Sequence, residues 1–269
     1  MADAYTALIK KEMSPKIEAL RDDLARRKDT DFFWPSGTQV YCGQQGSGKT
    51  TAAVYHATIK LKGAYPKAKL VSNLVLSEFE PVTLQGTDDE IKAIIAGLDT
   101  RTQYIFFQTA LELQKALTMV SNGFKGVIYL IDEIHTYFNS LDSSGMPPWI
   151  FTEIAQQRKQ RKVIIGTSQL FLRMAKPFRE QCSSLIICRT FFGFFTKTTS
   201  YDGMSLTQDY DGSLHGNVKK SGWFFHTRRI RAAFDTFQKI NTSGGILEFE
   251  QIQAPTVLAN QKGRKIKIR

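Results

Sequence analysis

Cysteine is scarce in this sequence, and long apolar runs are missing from it. The 269 residues include three cysteines, Cys42, Cys182 and Cys188, without C-x-x-C spacing. An odd number with these spacings indicates neither a disulfide framework nor a zinc site, so we expect a reducing, cytosolic compartment. No stretch reaches the roughly 18 apolar residues of a membrane helix, and the amino terminus lacks a signal-peptide pattern. The sequence therefore predicts a chain without a membrane-spanning segment.

Acidic residues are also in the minority. The chain has 36 Lys and Arg against 25 Asp and Glu, a formal net charge of +11. A basic balance of this size favours a polyanionic partner or surface. The hydrophobic fraction of 42% and the charged fraction of 23% are ordinary for a globular protein, which excludes a wholly disordered or collagen-like chain.

The hydrophobic pattern divides the chain into three parts. Residues 1–30 read as a helical extension, residues 31–240 as the core domain, and residues 241–269 as a basic tail. The extension either clamps a neighbouring subunit, docks on a capsid or membrane protein, or covers the core, and we favour the first. The tail is either a solvated end or a nucleic-acid-binding arm.

Within the core, short apolar runs alternate with longer helical patterns, which predicts an α/β fold with a mainly parallel sheet flanked by helices. Residues 196–221 are polar and rich in turn residues, so we expect a loop or small hairpin insertion at the edge of the sheet. The predicted strands are Gln39–Cys42, Leu70–Leu76, Gly126–Ile131, Lys162–Thr167 and Leu185–Cys188.

A glycine-rich phosphate loop, G-Q-Q-G-S-G-K-T, follows the first of these strands. It has Gly43, Gly48, Lys49 and Thr50 at the required positions and opens a helical pattern. Backbone N–H groups of such a loop point at phosphates, the lysine neutralises the β- and γ-phosphates, and the threonine ligates Mg²⁺. ATP and Mg²⁺ are the expected ligands. The predicted nucleotide-binding residues are Gly43, Gln44, Gln45, Gly46, Ser47, Gly48, Lys49, Thr50 and Thr51.

Two acids, Asp132 and Glu133, end the apolar run V-I-Y-L-I. Ligands of open α/β sheets bind at the carboxyl ends of strands, so Asp132 is predicted to hold Mg²⁺ and Glu133 to act as general base towards water. A carboxylate beside the metal aspartate favours hydrolysis over transfer to a metabolite. His135, close behind, is interpreted as structural.

A second polar strand end, T-S-Q, and a basic stretch lie between residues 158 and 169. Gln169 is predicted to sense the γ-phosphate or the attacking water, with a plain turn residue as the alternative. Arg158, Lys159, Arg161 and Lys162 form either a solvated helix end or the source of an arginine finger that reaches a neighbouring subunit.

Together, the phosphate loop, I-D-E-I-H-T-Y-F-N-S, R-K-Q-R-K-V-I-I-G-T-S-Q, L-V-S-N-L and A-A-F-D-T-F resemble the viral branch of the HerA–FtsK superfamily. That branch includes phage DNA-packaging ATPases and Zot-like assembly ATPases of filamentous phages. The resemblance implies a RecA-like P-loop NTPase fold, a homo-oligomeric, hexameric ring, and catalytic roles for Lys49, Glu133, Gln169 and Arg158. Arg179 is the second choice for the finger.

The resemblance also implies an ATP-driven nucleic-acid translocase in the host cytoplasm or on an assembling capsid. We favour packaging of double-stranded phage DNA, with a capsid or vertex protein as a partner. Zot-like phage extrusion, a helicase or conjugation-type pump, and an assembly adaptor with little turnover are the alternatives. Trp223, Phe224 and Phe225 either contact bases or pack in the core, and we favour the core. The predicted DNA contacts are Lys219, Lys220, Arg228, Arg229, Arg231 and the basic residues of the tail.

Overall fold

The computed structural model describes residues 29–138, 148–208 and 214–234. Almost all of the predicted amino-terminal extension and the whole predicted tail, 241–269, lie outside these residues. The division of the chain into three parts therefore stays a prediction.

A nine-stranded sheet forms the centre of the fold, in the order β11-β8-β7-β1-β6-β5-β2-β4-β3. Neighbouring strands from β3 to β7 are parallel, whereas β8 and β11 are antiparallel additions at one edge. A separate two-stranded ladder joins β9 and β10. The strands are β1 Gly37–Cys42, β2 Lys69–Ser72, β3 Glu80–Thr83, β4 Gln103–Phe106, β5 Val127–Ile131, β6 Lys162–Ser168, β7 Cys182–Phe191, β8 Phe195–Asp202, β9 Thr207–Gln208, β10 Leu214–His215 and β11 Val218–Phe225.

Helices cover both faces of the parallel strands. Every residue of β5 and β6 is buried, as expected for central strands covered on two sides. Ile128 and Leu130 of β5 pack with the helix that follows the phosphate loop, whereas Tyr129 and Ile131 pack with the helices of the other layer. The helices are α1 Lys49–Val54, which continues through a π-helical stretch Tyr55–Leu61 into α2 Lys62–Ala64, then α3 Asp88–Gly97, α4 Ala110–Met119, α5 Pro148–Ala155, α6 Lys176–Glu180 and α7 Arg228–Ala232.

The amino-terminal edge of the sheet is held by an aromatic clamp that comprises Phe32, Phe33, Phe124 and Arg161. The Phe33 side chain is buried, and Gly126, with φ +72°, leaves room for it: a Cβ there would lie 2.2 Å from the Phe33 ring. The Arg161 guanidinium lies 3.8 Å from the Phe32 ring centre and donates to the Phe33 carbonyl at 3.0 Å. Residues 32–33 are thereby fixed where β5 and β6 begin.

The region from 196 to 221 follows the second of its two predicted forms, a hairpin at the edge of the sheet, but the hairpin is larger than expected. It is not mainly a loop, because β8 and β11 extend the main sheet by two eight-residue strands, with the short β9–β10 ladder between them. One face of an edge strand can meet water, so a polar sequence rich in β-branched threonine still forms a strand there.

Two further expectations need correction. The strand predicted as Leu70–Leu76 ends at Ser72, because Asn73 turns to bond Asp132 instead of continuing the ladder. Of the three aromatics expected in the core, Phe224 is buried, but Trp223 is 67% and Phe225 52% exposed. Alternate residues of a strand point to opposite faces, so only the middle aromatic reaches the helix side.

The stability of this fold is expected to depend on the His56 imidazole. Its Nδ1 lies 2.7 Å from the Tyr41 hydroxyl, and burial, with the nearby Lys220 and Lys60 charges, lowers the pKa of His56 to about 4. An unfolded histidine titrates near 6.5, so between these values the unfolded chain binds more protons. The contribution of His56 is complete above pH 6.5 and is lost as the pH falls towards 4.

Urea unfolding between pH 7 and 4.5 tests this dependence. The free energy of unfolding of the wild type should fall more steeply with decreasing pH than that of His56→Gln, which has no proton to bind. Parallel curves for the two proteins would show that His56 is not the group responsible.

Candidate active site

The predicted site residues meet at the carboxyl edge of the parallel strands. The phosphate loop follows β1, Asp132 and Glu133 follow β5, and Thr167 and Ser168 end β6. Since β6 lies between β1 and β5, its last residues separate the phosphate loop from the acids. This edge is therefore where a nucleotide on the loop would face the two carboxylates.

In the phosphate loop, Gln44, Gln45 and Gly46 are exposed, whereas the Lys49 residue is only 7% exposed. Gly48 has φ +80°, and a Cβ there would lie 2.3 Å from the Thr190 hydroxyl of β7. Only glycine therefore lets the loop approach β7 this closely. The helical hydrogen bonding of α1 starts at once, with Ala52 N–H donating to the Gly48 carbonyl at 2.8 Å.

Asp132 is the centre of a hydrogen-bond network. The hydroxyls of Thr50 and Thr167 donate to its Oδ1 at 2.8 and 2.6 Å. The Asn73 side chain bonds both backbone groups of Asp132, accepting from its N–H at 2.8 Å and donating to its carbonyl at 2.9 Å. Burial raises the pKa of the Asp132 carboxyl, although the two threonine hydrogen bonds oppose the shift.

This donor set fits Mg²⁺. A hydroxyl and a carboxylate oxygen meet at the loop, and among the described residues Lys49 is the cation whose charge acts on this buried carboxyl. Mg²⁺ prefers oxygen ligands and is held by one or two protein groups, with phosphates and water completing the shell. Among the described residues no group of three or more His, Cys, Asp or Glu could hold a metal by itself. Thr50 and Asp132 are the residues that would hold the ion.

Glu133 is held in a strained backbone conformation. Its φ is +47°, which is uncommon for residues other than glycine, and its N–H donates to the Thr167 hydroxyl at 2.9 Å. Its Oε1 lies 3.3 Å from Lys49 Nζ. Its Oε2 is buried without a hydrogen bond, although His135 Nδ1 is 3.3 Å away. Burial lowers the pKa of His135, although the Glu133 carboxylate opposes the shift, and His135 Nδ1 also lies 3.3 Å from the Ser168 hydroxyl.

Sequence reasoning missed two residues of this network. Thr167 was noted only as part of a polar strand end, yet it joins Asp132 to Glu133. Asn73 was noted only within L-V-S-N-L, yet it fixes the Asp132 backbone. An amide directly after a buried strand is the signal that could have found Asn73. Gln169 is exposed just beyond β6 at the same edge, and its sensor role stays a prediction.

The basic stretch before β6 lies at the opposite edge of the sheet. Lys162 is buried and donates to the Leu117 carbonyl at 2.6 Å, and Arg161 belongs to the aromatic clamp. Arg158 and Lys159 are exposed. The structure does not bring Arg158 to the phosphate loop of its own chain. Arg179, in α6, is half-buried with an Nε that has no hydrogen bond.

The predicted DNA contacts in the described residues are all exposed. Two of them are paired, because Arg229 makes a two-pronged bond to Glu78 at 2.6 and 2.9 Å and Lys219 lies 2.8 Å from Asp202. Arg231 donates to the Gly193 carbonyl at 3.3 Å. The basic residues of the predicted tail lie outside the described residues.

A chain of hydroxyls connects the phosphate loop to the edge of the sheet. Thr190 donates to the Ser47 carbonyl at 2.9 Å and lies 2.7 Å from the Thr196 hydroxyl. Thr196 in turn lies 2.7 Å from His226 Nε2.

Thr190→Val is expected to raise the KM for ATP about 2- to 10-fold, the value of one hydrogen bond, with little change in kcat. Thr190→Ser keeps the hydroxyl and should behave as wild type, whereas equal KM values in all three proteins would exclude a role for this bond.

Comparison with known proteins gives one family match. The model of the zonular occludens toxin (Zot) family matches residues 38–213. No curated protein matches this chain. The phosphate loop and the strand order, with β6 between β1 and β5, confirm the predicted fold class, a RecA-like P-loop NTPase, and the family match confirms the predicted resemblance.

Similar solved structures include a viral genome packaging NTPase, a toxin domain and a flagellar accessory protein. The genome packaging NTPase B204 from Sulfolobus turreted icosahedral virus 2, in complex with ATP-gammaS, has a TM-score of 0.48 and 13% identity, covering 69% of this chain and 98% of its own. The N-terminal domain of zonular occludens toxin from Neisseria meningitidis has a TM-score of 0.46 and 13% identity, covering 74% and 99%. The flagellar accessory protein FlaH from Methanocaldococcus jannaschii has a TM-score of 0.39 and 16% identity, covering 80% and 96%. Within the described residues no helix is both long and apolar enough to span a membrane.

Proposed function

This chain belongs to the zonular occludens toxin (Zot) family, and we propose that it is an ATP-hydrolysing motor that moves nucleic acid during phage assembly. The observation that carries the proposal is the network at the sheet edge. A chain of contacts links Lys49 to Glu133, Glu133 to Thr167, Thr167 to Asp132 and Asp132 to Thr50. This is the set that hydrolysis of a nucleoside triphosphate needs.

Each residue has a separate role in hydrolysis. The backbone of the loop and Lys49 bind the phosphates. Thr50 and Asp132 would hold Mg²⁺, which would supply positive charge to the phosphates. When Lys49 turns to the phosphates, Glu133 loses its ion pair and can accept a proton from the attacking water. His135 and Thr167 keep the carboxylate and backbone of Glu133 in place.

Two more specific versions of this function are supported, one by the sequence and one by the family match. The sequence favours packaging of double-stranded DNA into a capsid by a hexameric ring of subunits, in which Arg158 reaches the nucleotide of a neighbour. The family match over residues 38–213 favours Zot-like phage extrusion instead. An adaptor with little turnover would have no need of a base, so the position of Glu133 beside Lys49 argues against it.

ATP hydrolysis by the purified chain, with and without duplex and single-stranded DNA, tests the proposal. We expect stimulation by DNA that weakens between low and moderate salt, because each phosphate contact releases a counterion. The polymer that stimulates more distinguishes packaging from extrusion. ATP binding without turnover under every condition would contradict the motor and favour the adaptor.

A further inference from the structure

Two rows of aromatic and basic side chains lie on one face of the β7–β8–β11 extension. Phe191, Phe195 and Phe225 are directly opposite one another on the three strands, and the next row on the same face is Arg189, Lys197 and Trp223. We refer to these six residues as the basic-aromatic face. It lies on the side of the sheet opposite to Phe224 and α1, because side chains alternate along a strand.

The face is open to solvent in the described part of the chain. Trp223 is 67%, Phe225 52% and Phe191 39% exposed, and Arg189 and Lys197 are exposed as well. A groove of about 180 Å³ runs along it, lined by Ile187, Arg189, Phe191, Lys197, Thr199 and Tyr201. Exposed aromatics that are contiguous and lie beside a groove are unusual on a soluble surface and mark a binding site.

The charges of the basic-aromatic face favour binding of an anion. Arg189 and Lys197 are cross-strand partners, and like charges directly opposite each other destabilise a sheet. No carboxylate of the described residues lies within ion-pair distance of either of them. A polyanion laid across the strands would remove this repulsion.

The turn at the end of the face adds to the exposed aromatic surface. Phe194 N–H donates to the Phe191 carbonyl at 3.2 Å, and the residues between them, Phe192 and Gly193, have φ values of +52° and +69°. Hairpin turns with two positive φ values favour Asn, Asp or Gly at the first of these positions. Phe192 is strained there and is 87% exposed, and its ring centre lies 6.0 Å from that of Phe194 and 6.4 Å from that of Phe195. Such strain suggests that the ring serves a partner.

We propose that the basic-aromatic face binds single-stranded nucleic acid, with bases stacked on Phe192, Trp223 and Phe225 and phosphates on Arg189 and Lys197. Unpaired bases gain stacking energy on exposed rings, whereas duplex bases are already stacked on each other. The hydroxyls of Thr199 and Tyr201 on the floor of the groove can bond to base edges, but they would lose their hydration in a lipid surface. The proposal rests on the proposed function and differs from the sequence expectation of duplex DNA.

The face is also connected to the phosphate loop. Thr190, between Arg189 and Phe191, points to the other side of β7 and donates to the Ser47 carbonyl. A nucleic-acid strand bound on the basic-aromatic face would therefore contact the same segment of β7 that bonds to the phosphate loop. This connection gives DNA binding a direct route to the nucleotide.

Fluorescence anisotropy with a labelled oligothymidylate and a duplex of equal length, without nucleotide, tests the proposal. The single strand should bind more tightly than the duplex. Trp223→Ala should weaken binding about 10-fold, and Trp223→Phe should restore most of it. Phe192→Gly removes the exposed ring and relieves the positive φ, so it should weaken binding without lowering the melting temperature.

The two cations are tested by salt dependence. Arg189→Gln with Lys197→Gln should reduce the slope of log affinity against log salt by about 1.4, since each single-strand phosphate contact contributes about 0.7. Arg101→Gln with Lys125→Gln, the same charge change at two exposed positions elsewhere, should leave the slope unchanged.

Three results would overturn the proposal. The first is equal oligonucleotide affinity in the wild type, Trp223→Ala and Phe192→Gly. The second is that these variants lose only their binding to phosphatidylglycerol vesicles, and the third is that they lose only a dimer observed by sedimentation. Binding and ATPase assays separate this proposal from the proposed function. Tight oligonucleotide binding by an inactive chain would contradict the motor alone, whereas DNA-stimulated hydrolysis that is insensitive to Trp223→Ala would contradict the face alone.

Discussion

Replacing Glu133 by glutamine is expected to stop ATP hydrolysis while leaving ATP bound. Glutamine has the size of glutamate but cannot accept the proton of the attacking water, and loss of a general base costs about 10²- to 10⁴-fold in kcat. Binding should persist because Lys49, Thr50 and Asp132 are unchanged. Phosphate release in the steady state and titration with a fluorescent ATP analogue measure the two effects separately.

A matched control is Glu180→Gln, which makes the same change at an exposed carboxylate of α6, on a pair with Lys176 at 3.9 Å. It should hydrolyse ATP as the wild type does. If Glu133→Gln also kept wild-type turnover, another group would be the base and the proposed role of Glu133 would be wrong.

Lys49→Ala is expected to lose ATP binding itself. Lys49 is buried against Glu133 with their charged atoms 3.3 Å apart, so its removal takes away the partner of the phosphates and leaves Glu133 to repel them. A hydrogen bond to a charged group is worth about 1.5–3 kcal/mol, which corresponds to a loss of affinity of about 10- to 150-fold. The fluorescent analogue measures this loss directly.

The double variant Lys49→Ala with Glu133→Gln tests the cause. Because the repelling carboxylate is then neutral, part of the lost affinity should return, so the two substitutions should not be additive. Lys92→Ala, at an exposed lysine of α3, is the control for charge alone. Additive effects of the two substitutions, or an unchanged ATP affinity in Lys49→Ala, would contradict direct contacts of Lys49 with Glu133 and with the ATP phosphates.

The core of the site was predictable because local sequence determines it. A glycine-rich loop after a strand and two acids at the end of another strand dictate where the chain turns and which side chains emerge there. Thr167 was not predictable as a network member, since its role depends on which strands become neighbours, and the only local signal for Asn73 is its position directly after a buried strand. The register of β6 against β5, not a motif, brings Thr167 to Asp132.

Dependence on distant parts of the chain also explains the other differences between the predictions and the structure. In the basic stretch, Arg161 and Lys162 look like surface residues, but distant partners, Phe33 and Leu117, draw them into structural contacts. For Trp223 and Phe225, hydrophobic character alone suggests burial. Only the position of β11 at the sheet edge decides that no layer of the described residues covers one of its faces.

The aromatic clamp has a consequence for how neighbours could be attached. It fixes Phe32 and Phe33 where β5 begins, whereas Asp132 follows the end of that five-residue strand, about 17 Å away at roughly 3.3 Å per residue. Phe32 and Phe33 therefore lie on the side of the domain remote from the predicted nucleotide site. A tether at that point can carry mechanical load between subunits without standing in the path by which ATP enters and ADP leaves.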